Sequence, residues 1–202
     1  VKWKIRIPGL GHSCPIVWGN RVFVTTAISD KERDSLKIGI YHEIAPVEKD
    51  GVHVWRLYCI DKSSGEVLWH RDCRKAVPKD KRHTKSSHAN CTPATDGERV
   101  VSFFGSEGLY CHDYNGNLLW KKDFGILDAA FFRVPRAQWG FASSPIIHDG
   151  VVLLQCDVLK DSFVAALDVK TGKTLWRQSR NDLPAWSSPA VCEAAGKTQV
   201  IV

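Results

Sequence analysis

Between residues 145 and 177 the apolar positions fall into short runs separated by turn signals. Pro145-Ile146-Ile147-His148 is a brief extended run, and the Asp149-Gly150 pair behind it is a strong two-residue hairpin signal. Val151 to Gln155 is almost continuously apolar, the pattern of a strand covered on both faces. After a polar turn at Lys160-Asp161, Phe163 to Leu167 predicts a third strand. Lys170-Thr171-Gly172 then turns the chain into a fourth at Lys173 to Arg177. The product is a four-stranded meander. Asp96-Gly97 starts a second one, with strands expected over Arg99 to Phe104, Leu109 to Asp113 and Leu118 to Lys121. No segment keeps helical periodicity over three turns.

Two motifs alternate along this pattern. The first is a small residue, Asp, a short turn ending in Gly, and Trp. It reads Asp61, Gly65, Trp69 after Cys59, then Asp113, Gly116, Trp120 after Cys111, then Asp168, Gly172, Trp176 after Ala166. The second is a small polar pair, Pro and a β-branched run, at Ser13-Cys14-Pro15, Cys91-Thr92-Pro93, Ser143-Ser144-Pro145 and Ser187-Ser188-Pro189. Self-similarity at about fifty residues marks a repeat architecture. One meander cannot bury both of its faces. Several packed radially can, which makes the expected fold all-β, a partial β-propeller of four-stranded antiparallel blades. The coils of a parallel β-helix are far shorter than this repeat.

The chain reads as one partial propeller over residues 1–202. It comprises a blade end at 1–10, a blade over 11–70 with an insertion at 27–54, blades over 88–122 and 141–178, and the start of another at 185–202. The repeats are cut at both ends and there is no initiator Met, so a longer protein is expected. The motif Trp residues are expected to dock against the turn Gly of the next blade. The motif Asp residues are structural and not catalytic. A loop as long as the insertion is uncommon unless it caps or binds.

Composition narrows the function classes. The net charge of +6 is modest, and much of it lies in a basic run between Arg71 and Lys85. That run has no aromatic stacking platform, so it reads as a solvated interblade loop and not a nucleic-acid site. Seven Cys show no CxxC and no metal-ligand spacing, which argues against zinc. No stretch approaches the roughly twenty apolar residues of a membrane span.

The Ala166-Leu167-Asp168-Val169-Lys170-Thr171-Gly172-Lys173-Thr174-Leu175-Trp176 run, with the Ser-Ser-Pro strand starts, resembles the pyrroloquinoline-quinone-type propellers throughout the chain. The likeness implies a propeller of about seven or eight blades. It also implies a periplasmic or secreted location. The superfamily includes quinoprotein alcohol dehydrogenases and the propeller lipoprotein of the outer-membrane β-barrel assembly machinery. The chain looks most similar to secreted bacterial PQQ-like repeat proteins of unassigned function. The dehydrogenases hold PQQ on Ca²⁺ with a vicinal Cys pair and a carboxylate set. Neither is present in this sequence. A non-enzymatic scaffold or binding module without cofactor is therefore expected. Its partners would be other proteins or a small polar ligand, besides the remaining blades of the propeller. The alternative is a PQQ- and calcium-dependent dehydrogenase whose cofactor residues lie in further repeats.

A site is expected where inner strands begin. Three residues before each motif Pro stand His12, Asn90, Ala142 and Trp186, with His88 and Trp139 nearby. His12, His88, Asn90, Trp139 and Trp186 therefore form the candidate channel mouth, for a polar, partly planar ligand or a peptide loop. The competing reading makes them structural filling of the channel. No nucleophile–base pair and no metal set is legible.

Overall fold

A computed structural model describes residues 1–31, 46–47 and 50–202. Among them the regular structure is β, apart from one 3₁₀ turn at Gly105–Glu107. Three antiparallel four-stranded sheets follow one another along the chain. The first holds β1 (Ile16–Trp18), β2 (Arg21–Ser29), β3 (His53–Asp61) and β4 (Val67–Ala76). The second holds β5 (Ala94–Thr95), β6 (Arg99–Phe103), β7 (Leu109–Asp113) and β8 (Leu118–Lys122). The third holds β9 (Ile146–His148), β10 (Val151–Cys156), β11 (Phe163–Asp168) and β12 (Thr174–Ser179). A two-stranded sheet of β13 (Ala190–Ala194) and β14 (Lys197–Ile201) closes the chain. In every four-stranded sheet the spatial order equals the chain order. The first strands of neighbouring sheets lie side by side, β1 against β5 and β5 against β9.

The turns explain why these short strands form. Asp149 and Gly150 both take positive φ, 44° and 75°, the backbone of a tight hairpin whose twist matches its strands. Val152↔Ile147 and Val152↔Leu167 then pair on either side of β10. The middle strands of each sheet are the buried ones. Val101, Phe103, Leu109 and Cys111 of the second sheet pack with Val152, Leu154, Phe163 and Leu167 of the third in one core. Cys111 is fully buried in this core and Cys59 in a separate one with Phe23, Leu57 and Val100, and the other Cys are also unpaired.

The Asp–Gly–Trp motif works in two stages. Asp168 Oδ1 accepts the backbone N–H of Thr171 at 2.8 Å and its hydroxyl at 2.7 Å, which fixes the turn. Asp61 holds the amides of Ser63 and Ser64 in the same way, at 2.8 Å each. The turn then exposes a Gly face to an indole from the preceding sheet. A Cβ built on Gly172 would lie 2.6 Å from Trp120, and one on Gly116 2.9 Å from Trp69. Each indole N–H also donates into that turn, Trp120 to the Val169 carbonyl at 2.9 Å and Trp69 to that of Tyr114 at 3.3 Å. Trp3 covers Gly65 and donates to Lys62. Residues 1–7 nevertheless form no ladder. Trp176 departs from the expectation. It is 44% exposed, and among the described residues no turn Gly lies against it.

The first sheet also differs from its sequence reading. Its ladder continues to the Ser29↔His53 pair, so the outer residues of the 27–54 insertion are strand. Residues 32–45 and 48–49 of that insertion lie outside the described residues. The basic run is not a loop throughout. Arg71, Arg74 and Lys75 sit on β4, which runs past residue 70 to Ala76. Its cations find carboxylates: Arg74 Nε lies 2.6 Å from Glu107, Lys79 Nζ 2.7 Å from Asp123, and Arg82 Nε 2.8 Å from Asp50. Sequence spacing could not show this, since each partner lies at least 32 positions away.

Candidate functional site

The chain enters each inner strand through its Pro motif, so residues three before Pro are carried to one end of adjacent sheets. His12, Asn90, Ala142 and Trp186 all line a single cavity of about 730 Å³, together with Trp139. The rest of the wall comes from the interblade segments: His83, Lys85 and Ser86 on one side, and Phe131, Val134, Ala137 and Gly140 on the other. The second segment is built by its own backbone. Phe131 N–H bonds the Ala137 carbonyl at 3.0 Å and Ala137 N–H bonds that of Val134 at 2.8 Å, a tight reversal that presents apolar side chains.

Aromatic contacts set the shape of the wall. The His83 and Trp139 rings stack with centroids 4.5 Å apart and planes 23° apart. Trp186 is held by its indole N–H on the Gly140 carbonyl at 2.9 Å, while 41% of it stays exposed. Asn90 is occupied by the fold. Its amide donates to Ser86 Oγ and to the Phe141 carbonyl, and its oxygen accepts from Ser87. His83 Nδ1 accepts the Lys85 N–H at 3.1 Å, which fixes the orientation of the ring.

His88 is the sequence-predicted residue that the structure takes elsewhere. Its Nε2 donates to Asp50 Oδ2 at 2.8 Å, in a cluster away from the cavity wall. Arg82 grips the same carboxylate with two bonds, at 2.8 and 3.0 Å. His53 Nε2 stands 3.7 Å from Asp50 Oδ1, and its ring meets His88 edge-on with centroids 5.0 Å apart. All three side chains are nearly closed to solvent. Burial raises the Asp50 pKa, but the His88 and Arg82 hydrogen bonds and the Arg82 charge outweigh it and hold the group at about 2. Burial pushes the His53 pKa down. His53 is Asp50's neighbour at i+3, but His88 lies 38 positions on, so spacing alone could not have exposed the cluster. Of the cavity wall, Phe131, Val134, Ala137 and Ser86 also escaped sequence reasoning. Their only signal was the unusual length of the two segments that carry them.

The cavity's donor set does not fit quinone chemistry on calcium. Among the described residues no carboxylate lines it, whereas Ca²⁺ takes six to eight oxygen ligands as a rule. The sequence has no adjacent Cys pair either.

Sheets of four meandering strands, stacked through Trp-on-Gly contacts about shared inner strands, define a propeller protein. The chain belongs to the family described as outer membrane protein assembly factor BamB, whose profile matches residues 56–202. The crystal structure of BamB from Moraxella catarrhalis is similar at a TM-score of 0.56 and 16% identity, over 93% of this chain and 45% of that one. The quinohemoprotein alcohol dehydrogenase ADHIIG from Pseudomonas putida HK5 is similar at 0.52 and 17%, over 88% and 22%. A europium-containing methanol dehydrogenase is similar at 0.50 and 15%, over 82% and 24%. This chain thus spans less than half the length of each. No curated protein matches it. At these identities the likeness is one of fold.

Proposed function

We propose that this chain is part of an exported, non-enzymatic propeller that acts as a scaffold and takes a loop of a partner protein into the cavity at its channel mouth. The observation that carries this is the cavity's chemistry. Two Trp faces, Phe131 and aliphatic side chains make up most of its wall beside two imidazoles and Lys85, and among the described residues no carboxylate lines it. Trp residues are enriched among the positions that dominate protein-binding energy, and an aromatic or aliphatic side chain from a partner would fill such a space. Ser86, the wall's hydroxyl, bonds Asn90 and the Ser87 carbonyl. The family description, an outer membrane assembly factor, agrees with a periplasmic or secreted setting. Among the described residues no helix is long and apolar enough to cross a membrane.

A displayed peptide library panned on the full-length protein tests this. Wild type is expected to enrich peptides with one apolar anchor, and the double change Trp139→Ala, Trp186→Ala is expected to weaken their binding by about thirtyfold or more, as loss of hot-spot residues does. Peptides that bind the double variant equally well would discard the cavity as the site. Loss on Lys75→Ala, a basic-run residue on β4 that does not line the cavity, with binding by the double Trp variant intact, would move the site to the basic segment. The dehydrogenase reading has its own arm. Dye reduction with an alcohol or a sugar after loading with PQQ and Ca²⁺ would overturn the scaffold.

A further inference from the structure

Asp50, His53 and His88 each bring a ligand atom to within 4.8 Å of the other two. They form the one such trio of His, Cys, Asp or Glu found among the described residues. We propose that they bind a divalent transition-metal ion of the zinc class, which pins the chain at residues 50–53 to the segment carrying His88.

The donor types select the ion. Two imidazoles and one carboxylate suit zinc and its neighbours, whereas calcium and magnesium ask for oxygen throughout. Outer hydrogen bonds already orient the donors. His53 Nδ1 lies 3.3 Å from the Gly51 carbonyl, so that nitrogen carries the proton and Nε2 turns a lone pair toward Asp50. A second hydrogen bond of this kind is what fixes the tautomer of metal-bound imidazoles. The Asp50 carboxylate is ionised, and Arg82 grips it as an outer-shell partner would.

Between His88 Nε2 and Asp50 Oδ2, 2.8 Å apart, sits a proton that an ion would displace. Bonds of about 2.0–2.1 Å put tetrahedral ligands roughly 3.3 Å apart, so the 3.7 Å gap from His53 to Asp50 is close to what binding needs. The two rings must rotate inward to complete the set. The Arg82 charge opposes the ion, which makes this a weaker site than a closed set of four ligands. Arg82 also bonds the Ser86 carbonyl at 3.0 Å, so the ion would stiffen the cavity wall. The proposal stands apart from the partner-binding reading. Without an ion, the same residues would be a buried ion-pair network.

The test is a Co²⁺ titration of the chelator-treated full-length protein, followed by visible absorption and then Zn²⁺ competition. Wild type should take up one Co²⁺ at this cluster, with ligand-field bands of an N/O set, lose it to Zn²⁺, and gain thermal stability with added Zn²⁺. His53→Gln, His88→Gln and Asp50→Asn should each weaken uptake by about tenfold or more, as loss of a ligand requires. His148→Gln, a half-exposed ring beside Asp149, should leave it unchanged. Near-UV circular dichroism of the metal-free variants checks that they are folded. If His88→Gln does not fold, the other two decide. Absence of uptake by wild type, or uptake that survives both His53→Gln and Asp50→Asn, overturns the site.

Discussion

The backbone N–H of Thr92 donates to the hydroxyl of Ser144 at 2.9 Å, and both residues stand immediately before the Pro that opens an inner strand. The same bond recurs on either side. Cys14 N–H donates to Thr92 Oγ1 at 3.0 Å, and Ser144 N–H to Ser188 Oγ at 2.9 Å. One hydroxyl per sheet thus ties each inner strand to the next. This gives a structural reason why a small hydroxyl residue precedes Pro in three of the four copies.

Ser144→Ala should cost about 1–2 kcal/mol, since it leaves the Thr92 N–H without its acceptor at a half-buried seam. Ser144→Thr should restore most of it. Urea denaturation of the pair measures both. A loss confined to tenths of a kcal/mol would show that water replaces the bond.

Gly172→Ala should destabilise by about 1–3 kcal/mol more than Gly150→Ala, the magnitude typical of overpacking. Both positions hold positive φ, 69° and 75°, so the backbone penalty is shared. They differ in what the new methyl meets: Trp120 at 2.6 Å from Gly172, and nothing within 4 Å of Gly150. Thermal melts of the two variants isolate the Trp contact.

Arg74→Ala should cost about 3 kcal/mol, because Glu107 is buried and would lose its cation at 2.6 Å. Asp72→Ala breaks the Arg56 pair instead, where the carboxylate is half exposed, and should cost under about 1 kcal/mol. Equal losses from the two would remove the distinction.

Acid should destabilise the fold in two windows. Burial, aided by the Arg71 charge, pushes the His112 pKa from 6.5 down to about 4. The unfolded chain then takes up a proton that the folded chain refuses, so stability falls as pH drops from about 6.5 to 4. His112→Leu should flatten that limb. Asp50 acts in the lower window. Its folded pKa of about 2 lies below the unfolded 3.8, so the stability it contributes is present above pH 4 and is lost as pH falls toward 2. That loss amounts to roughly 2 kcal/mol. Denaturation midpoints across pH 2–8, with Asp50→Asn, read both.

The sequence by itself determined the local grammar of this protein. Strands, tight turns and their recurrence rest on alternation, on Gly and Asp–Gly positions, and on bonds spanning three residues such as Asp168 to Thr171. Those interactions close within a few positions, so the fold class and the positions preceding each Pro could be read directly. The tertiary structure alone decided which way side chains turn once there. His12, Asn90, Trp139 and Trp186 share a cavity. His88, two residues from Asn90, turns instead to a carboxylate 38 positions earlier. Whether Trp176 is covered, and which acid meets each cation of the basic run, likewise depends on chain brought in from elsewhere. Buried charge goes where an opposite charge and a dry surface coincide, and that coincidence exists only after the blades have packed.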